Sequence, residues 1–125
     1  MKEPEAYRRA HHAMRENDAE TAISYLDELI ETRPCAQSYL RKCIYLLYEN
    51  QDNDFQVFEK CLNLAEKATN IDEKCSAGFL ISGQCLRKMN RPAEALRYVQ
   101  WSLFLYRVFR LIGNPSNRKQ WPKIG

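Results

Sequence analysis

Five cysteines and two histidines are the residues with most chemistry to offer in this chain of 125 residues. The cysteines fall at Cys35, Cys43, Cys61, Cys75 and Cys85. Their number is odd, and no pair has the C-x-x-C spacing that places two thiolates on one zinc ion. Most sit inside apolar helical patterns, where a reduced cysteine packs as a small hydrophobe. They read as structural thiols of a reducing compartment. His11 and His12 are adjacent, so on a helix they point about 100° apart and cannot share a metal, which takes a spacing of three or four. No metal site and no cofactor are expected.

Catalysis finds no better footing. No nucleophile has a base at a known motif spacing, and the four glycines stand apart at Gly78, Gly83, Gly113 and Gly125, so no glycine-rich loop cradles a phosphate. No catalytic residue is assigned and an enzyme is not expected. Charge is unevenly placed. The formal net charge is +3, and from Arg107 onward the chain carries Arg107, Arg110, Arg118, Lys119 and Lys123 with no acidic residue, which leaves the rest at −2. Arg107, Arg110, Arg118 and Lys119, with Trp121 offering a ring to a base, are the candidate contacts for RNA, DNA or an acidic partner. The mildly acidic body and the shortness of the basic run weigh against nucleic acid.

Positioning these residues falls to helices. An apolar share of 45% with only 4 Gly and 5 Pro suits one globular domain and excludes a loop-rich all-β fold. No run approaches the ~20 apolar residues of a membrane span. The polar start Met1–Glu5 has no apolar segment of a signal peptide. A cytoplasmic protein is expected, the nucleus being the other compartment compatible with the sequence.

Apolar spacing is helical almost throughout. The pattern predicts helices over about Glu5–Glu16, from Thr21 to before Pro34, over Ala36–Tyr48, Asp54–Thr69 and Glu73–Met89, and a long last one over Pro92–Ile112. Asp18 is the expected N-cap of the second. Pro92 fits the first turn of the sixth, and Gly113 ends it. The polar run Glu49–Asp54 is a loop. The expected domain is residues 1–113, with 114–125 as a basic, flexible tail.

The helices repeat. Asp18-Ala19-Glu20-Thr21-Ala22-Ile23 in the second recurs as Arg91-Pro92-Ala93-Glu94-Ala95-Leu96 in the sixth. Ala10 and Ala13 in the first correspond to Gly83 and Leu86 in the fifth. Small residues at Ala10, Ala22, Gly83 and Ala95 let paired helices approach closely. The third and fourth helices follow the pattern loosely, with Lys42 at the glycine position, Tyr45 at the tyrosine position, and Phe58, Leu62 and Ala65 on the return helix. Over about residues 4–107 this pattern resembles the tetratricopeptide repeat family, whose unit is a 34-residue helix-turn-helix.

The resemblance implies an all-α fold: three stacked antiparallel helix pairs in a right-handed superhelical solenoid. It also implies a concave groove lined by the first helix of each pair. Carried over, the groove residues are Tyr7 and His11; Tyr39, Leu40, Cys43 and Leu47; and Leu80, Ile81, Gln84, Arg87 and Lys88. The function implied is a non-catalytic adaptor or scaffold that takes a partner's hydrophobic helix or extended peptide. The subgroup that clamps chaperone carboxylates uses positions held here by Tyr7, His11, Leu40, Ala77 and Ile81, of which only a protonated His11 could supply a cation. A homodimer through the apolar last helix, or occupation of the groove by the chain itself, are the alternatives.

Overall fold

The computed structural model describes the backbone of residues 3–111 and the side chains of residues 4–108. It contains six helices, α1 (Glu3–Arg15), α2 (Ala19–Thr32), α3 (Ala36–Glu49), α4 (Phe55–Ile71), α5 (Ser76–Lys88) and α6 (Pro92–Leu111). There is no strand among the described residues. Each helix packs on its chain neighbours, and α3 also packs on α5. The all-α expectation holds. The expected tail, 114–125, lies outside the described residues.

The helix boundaries have local causes. Asp18 caps α2, its carboxylate accepting from the Thr21 N–H at 3.1 Å. Asp54 caps α4, accepting from the Gln56 N–H at 2.9 Å. The loop before it is closed by Asn50, whose side chain accepts from the Asp54 N–H and donates to the Asp54 carbonyl. The start of α5 falls later than the apolar spacing suggests. Asp72 ends α4, and its carboxylate accepts from the Lys74 N–H at 3.0 Å. That local turn competes with helix and delays α5 to Ser76.

The turns α1–α2 and α5–α6 have the same geometry. Asn17 and Asn90 are left-handed, each with φ 61°. The next residue donates back across the turn, Asp18 to Ala13 at 2.8 Å and Arg91 to Leu86 at 2.9 Å. Asparagine tolerates this conformation better than other side chains do, and the back-bond satisfies a carbonyl that the helix end leaves over.

Close approach is set by short side chains. Ala10 and Ala22 are fully buried between α1 and α2. A Cβ on Gly83 would stand 2.7 Å from Val99 Cγ2 and 3.2 Å from the Ala95 carbonyl oxygen, so α5 and α6 meet where only glycine fits. A Cβ on Gly78 would stand 2.7 Å from Thr69 Cγ2, so α5 approaches α4 in the same way. The repeat alignment places Lys42 at the small position of the middle pair. In the structure that role belongs to Cys43. Cys43 and Cys61 are fully buried, and each thiol points at the other's carbonyl, at 3.3 and 3.7 Å. Lys42 points away from that crossing, towards α2, into an ion pair with Asp27. A cation so close to an apolar crossing would lack hydration, and one residue of rotation avoids this.

The core is divided. One cluster joins Ala6, Ala10, Ala22, Leu26 and Leu29 of α1 and α2 to Tyr45 of α3. A second joins α3, α4 and α5 through Leu40, Cys43, Phe58, Cys61, Ala65, Ile81 and Cys85. A third is aromatic: Phe79 and Leu105 are fully buried, with Tyr98, Trp101 and Phe104 packed against them. The Phe79 and Trp101 rings lie edge to face, 5.6 Å apart.

Candidate functional site

The odd-numbered helices α1, α3 and α5 carry the residues that the sequence places in a groove. The structure sorts these residues into two sets. Leu40, Cys43 and Ile81 are core residues of the central cluster, and Tyr7 is buried in the first. Tyr39 and Leu47 are half-buried. His11, Leu80, Gln84, Arg87 and Lys88 are exposed.

The burial of Cys43 has a register cause, whereas Tyr7 and Ile81 are buried on helices whose register is read correctly. On α3 the expected residues are read one position early, because Lys42 is taken for Cys43. One residue rotates a helix by about 100°, enough to exchange a core face for a solvent face. The large apolar side chains that reach solvent on α3 are Ile44, 51% exposed, and Tyr48, 64% exposed, against 0% for Cys43. With Leu40 and Leu47 they make an i, i+4, i+7, i+8 stripe. The same spacing on α5 gives Leu80, Gln84, Arg87 and Lys88, all exposed. On α1 the same spacing gives Tyr7, His11, Met14 and Arg15, of which His11 and Arg15 are exposed, with exposed Arg8 beside them. Sequence reasoning misses Arg41, Ile44 and Tyr48. The signal that finds them is Cys43 itself, short and apolar where its neighbours Lys42 and Ile44 are long.

The stripes on α3 and α5 are contiguous at one end. Leu47 of α3 and Gln84, Arg87 and Lys88 of α5 line one cleft of about 260 Å³, with Phe58 of α4 at its side. At the other side α3 is tied to α1. The Tyr7 hydroxyl lies 2.9 Å from Ser38 Oγ and 3.2 Å from Cys35 Sγ. The Arg41 guanidinium sits 4.3 Å above the Tyr7 ring. A cation over an aromatic face is held by the ring's quadrupole and keeps its charge. Tyr7 is therefore a supporting residue: it orients Arg41 and anchors the start of α3.

Arg107 is exposed on α6. The side chains of Arg110, Arg118, Lys119 and Trp121 lie outside the described residues. His11 and His12 are both exposed. Among the described residues no three or more His, Cys, Asp or Glu side chains are placed to hold a metal ion, and no helix is long and apolar enough to cross a membrane. A larger cleft of about 570 Å³ lies between α1 and α2, where Arg8 and His12 face Tyr25.

All five cysteines are reduced. Hydrogen bonding to Cys61, and then burial, push the thiols of Cys43 and Cys85 above the ordinary range. Burial pushes Cys75 up as well. Reactivity needs an accessible thiolate. In the folded protein a thiol reagent at neutral pH is expected to reach only the half-buried Cys35 and Cys75; the other three should react only with unfolding. Mass spectrometry of the labelled chain, with and without denaturant, checks this. Rapid folded-state labelling of Cys43 or Cys61 would place the α3–α4 crossing elsewhere.

No protein-family model and no curated protein matches the chain. The functional reading therefore rests on the side chains described above.

Proposed function

We propose that this protein is a non-catalytic interaction module of tetratricopeptide-like helix pairs, a cytoplasmic adaptor that receives a partner's apolar, acidic helix or extended peptide on the face of α1, α3 and α5. The observation that carries this is the exposure of Ile44, Tyr48 and Leu80 on stripes flanked by Arg8, His11 and Arg15 on one side and Arg87 and Lys88 on the other. Large apolar side chains that keep half their surface in water, rimmed by one sign of charge, are what a docking face presents. Two features support the repeat architecture. The helices pack in chain order with α3 on α5, and short residues recur at the pair crossings. The basic rim selects acidic sequences and speeds their encounter.

The test is a selection of 16-residue peptides from a random display library against the full chain, followed by affinity measurement on purified variants. Selected peptides are expected to combine Leu, Ile or Phe with Asp or Glu. Ile44→Glu with Tyr48→Glu should cost about 2 kcal/mol of binding, roughly thirty-fold, with the helical circular dichroism and melting temperature kept. Peptides that bind the double variant as tightly as the parent would remove the proposal.

A further inference from the structure

The crossing residues bring the three helix pairs into one register. Cys43 and Cys61 stand where Ala10 and Ala22, or Gly83 and Ala95, stand in the outer pairs. In that register Tyr45 of α3 and Cys85 of α5 are equivalent, each two residues beyond its crossing. They also do the same thing. Tyr45 is buried in the cluster of Ala10, Ala22 and Leu26, closing the first pair. Cys85 is buried in the cluster of Cys43, Cys61 and Ala65, closing the second. Each pair is thus closed by side chains of the helix that follows it, Tyr45 on the first and Cys85 with Ile81 on the second.

The third pair has the same face with no helix on it among the described residues. Gly83, Pro92, Ala95, Leu96 and Val99 line an open groove of about 400 Å³, apolar along its floor with Gln84 and Arg87 at its edge. Leu96 is 55% exposed, whereas its equivalents Ile23 and Leu62 are half-buried under α3 and α5. Val99 is half-buried, whereas its equivalents Leu26 and Ala65 are fully buried.

Charge says what kind of helix fits. On the first pair the covering helix brings Lys42 to Asp27 of α2. On the third pair the position of Asp27 is held by Gln100, and the rim beside it carries Arg97 with Arg87 across the groove. The acidic side chain on this stretch of α6, Glu94, is already bonded to Arg91. A second copy laid antiparallel on α6, centred midway between Arg97 and Arg107, would set each of these cations against the other in its partner. We infer that the open end of the stack is a socket for an amphipathic helix of another protein, one that puts a large apolar residue against Ala95 and Leu96 and an acidic residue where α3 carries Lys42. This surface adjoins the α3 cleft at Gln84 and Arg87 but does not include Ile44 and Tyr48.

The probe is a fluorescein-labelled peptide with the sequence of residues 36–49 and Cys43→Ala, made as it stands and with Arg41→Glu and Lys42→Glu. Fluorescence anisotropy with the full chain should show the acidic peptide binding at least ten-fold more tightly than the parent peptide, and less tightly as salt is added. Leu96→Asp, at an exposed position that tolerates it, should weaken the acidic peptide at least ten-fold. Ile44→Glu with Tyr48→Glu should leave it unchanged, which separates this socket from the stripe on α3. Four results overturn the inference. Equal binding of both peptides removes the charge argument, and no loss in Leu96→Asp removes the site. A dimer in sedimentation that Leu96→Asp dissociates makes a second copy the occupant. Binding that emerges only in Trp121→Asp makes the chain's own C-terminal segment the occupant.

Discussion

Phe79→Ala should be the most damaging single truncation in the molecule, lowering stability by roughly 3–5 kcal/mol. Phe79 is fully buried, and its ring is the centre on which Tyr98 and Trp101 converge, at 6.2 and 5.6 Å. Removing it takes away the transfer free energy of a large ring. It also leaves a void that the rigid neighbours cannot close, because Gly83 already holds α5 against α6. In a domain of this size the melting temperature should fall by roughly 10–20 °C. Leu103→Ala is the control: Leu103 is on the same α6 but 51% exposed, and its loss should stay within about 0.5 kcal/mol. Thermal melts by circular dichroism decide the matter. A Phe79→Ala protein that melts within two or three degrees of the parent would mean that the aromatic cluster is not a core.

The second large effect concerns the register of α3. Leu40→Glu places a carboxylate in the apolar central cluster that holds Phe58 and Leu64. It should cost roughly 3–5 kcal/mol at neutral pH, the scale of an uncompensated buried charge. Ile44→Glu, one turn further on, puts the same group in water and should change stability by less than about 0.5 kcal/mol. The pH dependence follows from burial. A buried glutamate has its folded pKa raised above the unfolded value of about 4.3. The unfolded state therefore gives up its proton first, and the deficit grows as pH rises above that value. Below it both states hold the proton and the deficit shrinks towards the cost of a neutral polar group. Urea melts of the two variants at acid and neutral pH check this. Equal stability of the two at neutral pH would return α3 to the register in which Cys43 faces solvent.

That register shows how far residues alone carried the reading. The outer pairs are legible because their crossings are made by Ala10, Ala22, Gly83 and Ala95, residues whose only role at those sites is to be small. Their boundaries are legible too, because Asp18 and Pro92 mark where α2 and α6 begin. The middle pair is obscured by its own chemistry. Its small residues are cysteines, which read as candidates for metal or redox work before they read as spacers. Its turn is longer and is closed by Asn50 with Asp54 instead of a helix-end back-bond. A loop of uncertain length leaves the phase of α3 unfixed, and a phase error of one residue sent the predicted groove into the core at Cys43 while leaving Leu80, Gln84, Arg87 and Lys88 correctly exposed; Leu40 and Ile81 are buried because both join the central cluster between α3, α4 and α5. Burial of Tyr7 was hidden for another reason. Its hydroxyl is satisfied by Ser38 and Cys35, residues of another helix that no local pattern links to it.

The division of the core has a kinetic consequence. Every large contact joins helices that are consecutive or nearly so, and no long loop must close before apolar surface is covered. Such a chain has low contact order and should fold on the microsecond-to-millisecond scale. Its three clusters also need not open together. The first is built from alanines and is joined to the rest mainly through Tyr45, Tyr7 and the Lys42 bridge; the last is knit by four aromatic rings. Amide protons of α1 and α2 should therefore exchange with solvent through partial opening while those of α5 remain protected, so that the molecule comes apart from its amino end.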